Sequence, residues 1–138
     1  MALEQRGLTG ELHNEPTEAF QCSITAAYRT FKEMIARGLT SQAYFCITAE
    51  LGRGVIRACH EAGLKVGEDV SICGFSELTA AKLMVPSLTT VAEAESVPFL
   101  AMGLEWIETG GENWQRPLRL EPDEVKVFVG ESTGPFKG

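Results

Sequence analysis

The stretch "EDVSICGFSEL", residues 68–78, runs from an acidic pair into a short apolar segment, then a Gly-aromatic pair, then small polar residues. A compact apolar run with these boundaries is typical of a strand buried inside a parallel sheet. Gly74 and Phe75 would close the strand. Because ligands of open α/β sheets bind beyond the carboxyl ends of the strands, the residues around this closure are candidates for holding a small molecule.

The segments before this strand complete a βαβ unit. "AYFCI" (43–47) is a second compact apolar run and predicts another buried strand. Helical spacing of apolar residues predicts a helix over 50–62, ended by Gly63, and an earlier one over 24–37. A strand, a helix and a strand in close succession favour a right-handed crossover between parallel strands. The sequence therefore predicts an α/β fold with the helices flanking a parallel sheet.

The pattern changes after residue 78. "ELTAAKLM" (77–84) predicts a short helix, "SLTTVA" (87–92) predicts a strand, and residues 96–109 predict a longer helix. "PLRLEP" (117–122) and "EVKVFVGEST" (124–133) are two short strand candidates separated by a Pro-Asp turn, which favours antiparallel pairing.

The helix predicted over 96–109 is apolar nearly all round. A helix of this kind needs apolar neighbours on two sides. It is either sandwiched in the core of its own domain, or its second side contacts another domain or chain; the pattern leaves both open. One stripe comprises Val97, Leu100, Ala101, Leu104 and Ile107, and the other Phe99, Met102 and Trp106.

Composition excludes several classes of protein. The 138 residues are 44% hydrophobic, enough for one core, and carry a net charge of −7 with scattered Lys and Arg, which argues against a nucleic-acid-binding face. No apolar run approaches the roughly eighteen residues of a membrane span. The four cysteines form no Cys-x-x-Cys pair, which favours buried thiols in a reducing compartment and hence the cytoplasm.

No catalytic or metal-binding constellation is recognisable in the sequence. Cys46 and Cys73 could be nucleophiles, but each lies within an apolar run without a nearby histidine, so structural thiols are expected. His13 and His60 match no metal motif. We therefore expect no enzymatic activity, no metal and no cofactor.

Residues 43–91 strongly resemble the effector-binding domain of the lac/galactose repressor (LacI/GalR) family of bacterial transcription regulators. The resemblance rests on "GLKVGEDVSICGFSEL" (63–78), "VPSLTTV" (85–91) and the closing "ESTGP" (131–135), in the family's order. It implies a type I periplasmic-binding-protein-like fold, of which this chain is the C-terminal portion. Residues 1–91 and 112–138 would form the C-terminal subdomain. The helix within 92–111 would pack on an N-terminal subdomain that, like the helix-turn-helix DNA reader, has no counterpart here.

The resemblance also implies an effector site in which every alignable polar anchor is altered. The family's Asn-Asp after the first strand is Thr48-Ala49, and its Asp after the Gly-aromatic pair is Ser76. A hydroxyl replaces amide and carboxylate groups, so the effector differs from a common sugar or binding has been lost. Alternatively, these are ordinary strand-end and capping residues. The candidate ligand-binding residues are Phe20, Cys22, Thr48, Ala49, Phe75, Ser76 and Glu77.

Dimer contacts of the family fall on the helix 50–62 and on residues 78–85. Ile56 is expected to lie off the core face of its helix, and Leu83-Met84-Val85 forms an apolar tip without local cover. We therefore expect a homodimer, to which the helix 96–109 contributes by swapping or packing. The interface candidates are Arg53, Ile56, His60, Ala80, Leu83 and Met84, and those of the swap or interdomain helix are Phe99, Met102 and Trp106.

Three functions remain open at this point. The first is the effector-binding and dimerisation portion of a LacI-type regulator, with a sugar-like effector and with DNA contacted only through a separate N-terminal domain. The second is a truncated remnant that dimerises but binds no effector. The third, a small α/β enzyme, is disfavoured because no reactive constellation is present.

Overall fold

The computed structural model describes residues 4–7, 9–11, 24–76, 78–92, 97–112 and 125–135. After a 3₁₀ turn at the start, helices and strands alternate along the chain, close to the predicted bounds. In order they are the 3₁₀ helix Glu4–Arg6, α1 (Ile24–Arg37), β1 (Ala43–Cys46), α2 (Ala49–Glu61), β2 (Ser71–Ser76), α3 (Leu78–Leu83), β3 (Thr89–Ala92), α4 (Val97–Glu108) and β4 (Val127–Phe128).

The four strands form one mixed sheet in the order β1-β2-β3-β4. β1 and β2 are parallel, with Tyr44 opposite Ile72, and β2 and β3 are parallel, with Gly74 opposite Thr90. The predicted parallel pairing of the first two strands is confirmed. β4 runs antiparallel to β3, whereas the strand predicted over 117–122 lies outside the described residues.

The core lies between the sheet and helices α1 to α3. Ile72 and Leu88 are fully buried at its centre, and Ala58 and Cys59 of α2 are fully buried in the same cluster. Phe31 of α1 meets the ring of Tyr44 edge-on, with 4.8 Å between centroids, an arrangement that aromatic pairs favour. These helices therefore cover the face of the sheet that carries Tyr44 and Ile72.

Close packing of α2 depends on glycine. A Cβ at Gly54 would lie 2.3 Å from the carbonyl oxygen of Ile24, and a Cβ at Gly52 would touch Leu88. Glycine costs a helix interior roughly 0.5–1 kcal/mol relative to alanine. At Gly54 this cost is offset by the approach of α1, which a larger residue would prevent.

The other face of the sheet, called here the open face, is apolar and exposed. Alternation along the strands places Phe45, Cys73, Phe75 and Val91 on it, and the β3–β4 register adds Val127 beside Val91. No helix among the described elements covers these side chains. The large apolar residues exposed on this side are Phe45, Ile47, Phe75, Val125, Val127 and Val129.

Residues 130–134 are joined to the sheet by polar contacts. The buried Ser132 hydroxyl donates to the carbonyl of Ile72 at 2.5 Å and accepts from the Thr89 backbone N–H at 2.8 Å. The backbone N–H of Gly134 donates to the Ser71 hydroxyl. This part of the "ESTGP" motif therefore completes hydrogen bonding that β2 and β3 would otherwise leave open.

Candidate functional site

The candidate effector residues that the structure describes lie where β1 and β2 end. Thr48 caps α2, and its Oγ1 accepts a hydrogen bond from the Leu51 backbone N–H at 3.4 Å. Ala49, the first residue of α2, is buried. The Thr48 hydroxyl therefore has a local structural role, as N-cap hydroxyls commonly do.

Ser76 points into the helix-covered side of the sheet. It is 4% exposed, and its Oγ lies 3.0 Å from Oγ1 of Thr90. Thr90, which sequence reasoning did not identify, is itself within 3.0 Å of the Gly74 carbonyl oxygen. The two hydroxyls thus satisfy each other in the interior.

Phe75 lies on the opposite side of the strand from Ser76 and is 41% exposed on the open face. The structure therefore separates the two residues that the sequence placed together as ligand contacts, because successive side chains of a strand point to opposite faces. Phe20, Cys22 and Glu77 lie outside the described residues. Their assignment as ligand contacts stays a prediction.

A groove with a volume of about 960 Å³ runs along the outer side of α2. Its second wall is formed by α3 and the tip that follows it. All six interface candidates line this groove, although they come from two separate parts of the chain. They are Arg53, Ile56 and His60 of α2 and Ala80, Leu83 and Met84 of the second wall.

The rim of the groove is both apolar and charged. Leu83 and Val85 are 78% and 91% exposed. Across from them, the Arg57 guanidinium is paired with Glu61 at 2.8 Å, whereas the side chains of Arg53 and His60 have no hydrogen-bond or ion-pair partner within the described part of the chain. An apolar tip facing cationic and apolar groups is the composition of an interface more than of an ordinary solvated surface.

The position of Ile56 differs from the one expected from the sequence. It was expected off the core face of its helix, but it is only 8% exposed and belongs to the hydrophobic core, while also lining the floor of the groove. The reason is that α2 is covered on more than one side, which the spacing of its apolar residues does not reveal.

The tip is held in place by Glu131, which sequence reasoning missed. Its Oε2 accepts hydrogen bonds from the backbone N–H and the hydroxyl of Ser87, at 2.9 and 3.0 Å, and its own N–H donates to the Ser87 hydroxyl. These donors favour the charged carboxylate and lower the pKa of Glu131. The groove wall is therefore fixed by a residue far away in the chain.

The buried thiols of Cys46 and Cys59 are poor nucleophiles, and the half-buried thiol of Cys73 is weakened in the same direction. Burial raises the pKa of Cys46 to about 12 and that of Cys59 to about 11, and it also raises the pKa of Cys73. These thiols are protonated at neutral pH, as expected for structural cysteines.

Within the described ranges, no cluster of His, Cys, Asp and Glu could hold a metal ion, and no helix is long and apolar enough to cross a bilayer.

Helix α4 lies apart from the core, to which it contributes no residue. Phe99 and Trp106 are 37% and 49% exposed and Met102 is half-buried. The stripe on another side of the helix is more open, with Leu100, Leu104 and Ile107 each more than 60% exposed.

Comparison with known proteins agrees with this architecture. A family model described as periplasmic binding protein-like domain matches residues 2–108. The chain is 30% identical over 82 residues to the HTH-type transcriptional repressor PurR of Pasteurella multocida, a match that covers 59% of this chain and 22% of that repressor. The chain therefore corresponds to a minor part of this relative's length.

Two solved structures are similar over more of the chain. A protein of Sanguibacter keddieii assigned to the LacI family of transcriptional regulators is 27% identical, with a TM-score of 0.75 over 97% of this chain and 51% of that one. A LacI-family transcriptional regulator of Enterococcus faecalis with bound ribose is 28% identical, with a TM-score of 0.68 over 85% and 43%. The chain thus belongs to the periplasmic-binding-protein-like domain family, among the effector-binding domains of LacI/GalR transcription regulators.

Proposed function

We propose that this chain is the effector-binding and dimerisation portion of a LacI-type regulator, and that dimerisation through the groove along α2 is its principal role. The observation that carries this is the convergence of Arg53, Ile56 and His60 with Ala80, Leu83 and Met84 on one groove. Helix α2 and the tip after α3 are where the family resemblance predicts subunit contacts.

The composition of the groove supports association between two identical copies. In a two-fold interface, the tip of each copy faces α2 of the other, so one surface supplies both halves of the contact. Leu83 and Val85 would enter the partner's groove, and Ile56 would form its apolar floor. Apolar side chains enclosed at an interface centre dominate affinity more than the charged rim does.

The Leu83→Glu variant tests this role. The change replaces the apolar contact of Leu83 with the floor of the partner's groove by a charge that has to lose its water, so we expect the dissociation constant to rise by about a hundredfold, which corresponds to roughly 2.7 kcal/mol. Ala36→Glu, an exposed change on α1, is the matched control and should leave the constant unchanged. Sedimentation equilibrium is the measurement, and an unaltered constant for Leu83→Glu would refute the groove as the dimer contact.

Effector binding is the less supported half of the proposal. The ribose-bound relative from Enterococcus faecalis favours a sugar-like ligand, but the Thr48 and Ser76 hydroxyls are engaged within the fold. We therefore infer weak contact with a polyol at the strand ends, with a dissociation constant on the order of 1 mM.

Isothermal titration with ribose tests the effector half. Saturable heat that decreases in Phe75→Ala would support it, with Ala36→Glu as the unaffected control. Absence of saturable heat at several-fold higher ribose concentration would instead favour a chain that dimerises and binds no effector. In the complete regulator, we propose that DNA is contacted by a separate N-terminal domain in the cytoplasm.

A further inference from the structure

The second wall of the groove is a loop that carries the exposed apolar tip. The loop leaves α3 at Ala81 and returns to the core at Leu88, where the Leu88 backbone N–H donates to the Ala81 carbonyl at 3.0 Å. Both residues are fully buried, so the base of the loop is fixed, whereas the side chains of Leu83 and Val85 are largely exposed. The position of the tip therefore depends on further contacts of the loop.

Ser87, the last residue before the loop returns to the core, is joined to residues 131–132 by four hydrogen bonds. Its backbone N–H and its hydroxyl donate to Oε2 of Glu131 at 2.9 and 3.0 Å. Its hydroxyl accepts from the Glu131 backbone N–H, and its carbonyl accepts from the Ser132 backbone N–H, both at 3.0 Å. A Cβ at Gly130 would lie 2.4 Å from the Ser87 carbonyl oxygen. The two segments are therefore in close contact along their backbones.

The segment that holds Ser87 is itself anchored in the sheet. Ser132 is completely buried, and its carbonyl accepts from the Ile72 backbone N–H at 2.8 Å, in addition to the contacts of its hydroxyl with β2 and β3. The hydroxyls of Thr89 and Thr133 lie 2.7 Å apart. Because Glu131 stands between these anchors, its carboxylate is presented to the loop from a fixed backbone.

We propose that Glu131 is the positioning residue of the dimer contact, and that by holding Ser87 it presets the tip in the conformation that enters the groove of a second copy. This inference rests on the proposed role of the groove. A loop that is ordered before association loses less conformational entropy on binding, which raises the affinity without a new contact across the interface. Glu131 therefore acts through the tip of its own chain.

A direct charge contact with the partner is the alternative that the test has to separate. Glu131 also lines the groove, as do the cationic side chains on α2. However, both Ser87 donors converge on one oxygen of Glu131. A single amide oxygen has two lone pairs and can accept both hydrogen bonds. Glutamine at this position therefore preserves the contact with Ser87 but removes the negative charge.

Sedimentation equilibrium of the whole chain provides the test. Glu131→Leu removes the acceptor, and we expect the dissociation constant of the dimer to rise about tenfold. Glu131→Gln should stay within about twofold of the parent. Ser87→Ala removes the hydroxyl from the other side of the contact and should raise the constant about fivefold. Glu33→Leu, at an exposed position of α1 outside the groove, is the matched control and should leave the constant unchanged.

Hydrogen exchange of the monomer reports the contact itself. In protein diluted below the dissociation constant, a peptide that contains Ser87 should exchange faster in Glu131→Leu and in Ser87→Ala than in the parent. Peptides from β2 should exchange at the parental rate, because the core stays folded. If Glu131→Leu also loses the protection of β2, Ser87→Ala decides in its place.

Three outcomes overturn the proposal. If Glu131→Gln weakens the dimer as much as Glu131→Leu, the carboxylate acts by its charge and not by holding Ser87. If Glu131→Leu leaves the dissociation constant unchanged although Leu83→Glu raises it, the tip does not need this contact, and the groove remains the dimer contact. An unchanged constant in both Leu83→Glu and Glu131→Leu refutes the groove itself, and this inference with it.

Discussion

Helices α2 and α4 have nearly the same length, 13 and 12 residues, but opposite surroundings. Helix α2 buries seven residues, and Ala58 and Cys59 are completely inaccessible. Helix α4 is richer in large apolar residues, yet Leu100, Leu104 and Ile107 remain largely exposed. The comparison shows that the burial of a helix depends on the layers available to it and not on its apolar content alone.

Small residues allow α2 to pack closely against its neighbours. Gly52 and Gly54 let the helix approach Leu88 and the backbone of α1 closely. Helix α4 carries bulkier side chains, and none of them belongs to the core cluster of the described residues.

Introducing a carboxylate should show the largest difference in stability between the two helices. Ala58→Glu would place a carboxylate in the core without a partner and should lower the free energy of unfolding by about 3–5 kcal/mol. Leu104→Glu on α4 should change it by less than about 0.5 kcal/mol in dilute protein. Urea denaturation followed by circular dichroism measures both, and similar losses in the two variants would contradict the comparison.

Glycine-to-alanine changes should have opposite signs in the two helices. Gly54→Ala would force α1 away from α2 and should destabilise by about 1–3 kcal/mol, because the new Cβ would lie 2.3 Å from the Ile24 carbonyl oxygen. Gly103→Ala meets nothing in the single chain and should stabilise α4 by up to about 0.5–1 kcal/mol. Thermal unfolding in dilute protein reports both, and a stabilising Gly54→Ala would exclude close contact between α1 and α2.

The buried contact between Ser132 and the strands β2 and β3 should also be sensitive to the loss of a single hydroxyl. Ser132→Ala leaves the Thr89 backbone N–H without its acceptor, which should cost about 1–3 kcal/mol. Thr25→Ala, at an exposed position of α1, is the control and should have little effect. Equal free energies of unfolding for the two variants would indicate that water replaces the Ser132 hydroxyl.

The smallest effect concerns the link between α1 and α2. Glu61 accepts hydrogen bonds from Tyr28, Arg57 and Lys32, which together lower its pKa from 4.5 to about 2. Since the pKa of Glu61 is lower in the folded state, the charged Glu61 stabilises the fold above pH 4.5, and this contribution is lost as the pH falls toward 2.

Glu61→Gln measures this link. The variant should be less stable than the parent at neutral pH, and the gap should close on acidification from about pH 4.5 to 2. Glu108→Gln on α4 removes a carboxylate outside this network and is the control for the loss of one negative charge. The measurement is the urea midpoint of each protein as a function of pH. A difference between parent and variant that grows on acidification would contradict a stabilising role of the Glu61 hydrogen bonds.

The sequence by itself determined the local elements and the family. Compact apolar runs predicted β1 and β2, and a periodicity of 3.6 residues with glycine after the helix end predicted α2 and α4, all within one or two residues. The ordered motifs from Gly63 to Val91 identified the regulator family. These features are readable because they depend on neighbours in the chain and on the geometry of single elements.

Only the tertiary structure decided which surface each side chain faces. Ser76 and Phe75 are adjacent in sequence, but one is buried against Thr90 and the other lies on the open face. Ile56 became a core residue because a second layer covers α2, and Glu131 fixes a groove wall formed more than forty residues earlier. The physical reason is that burial and hydrogen bonding at these positions depend on how separate elements stack, and residue spacing within one element carries no information about that stacking.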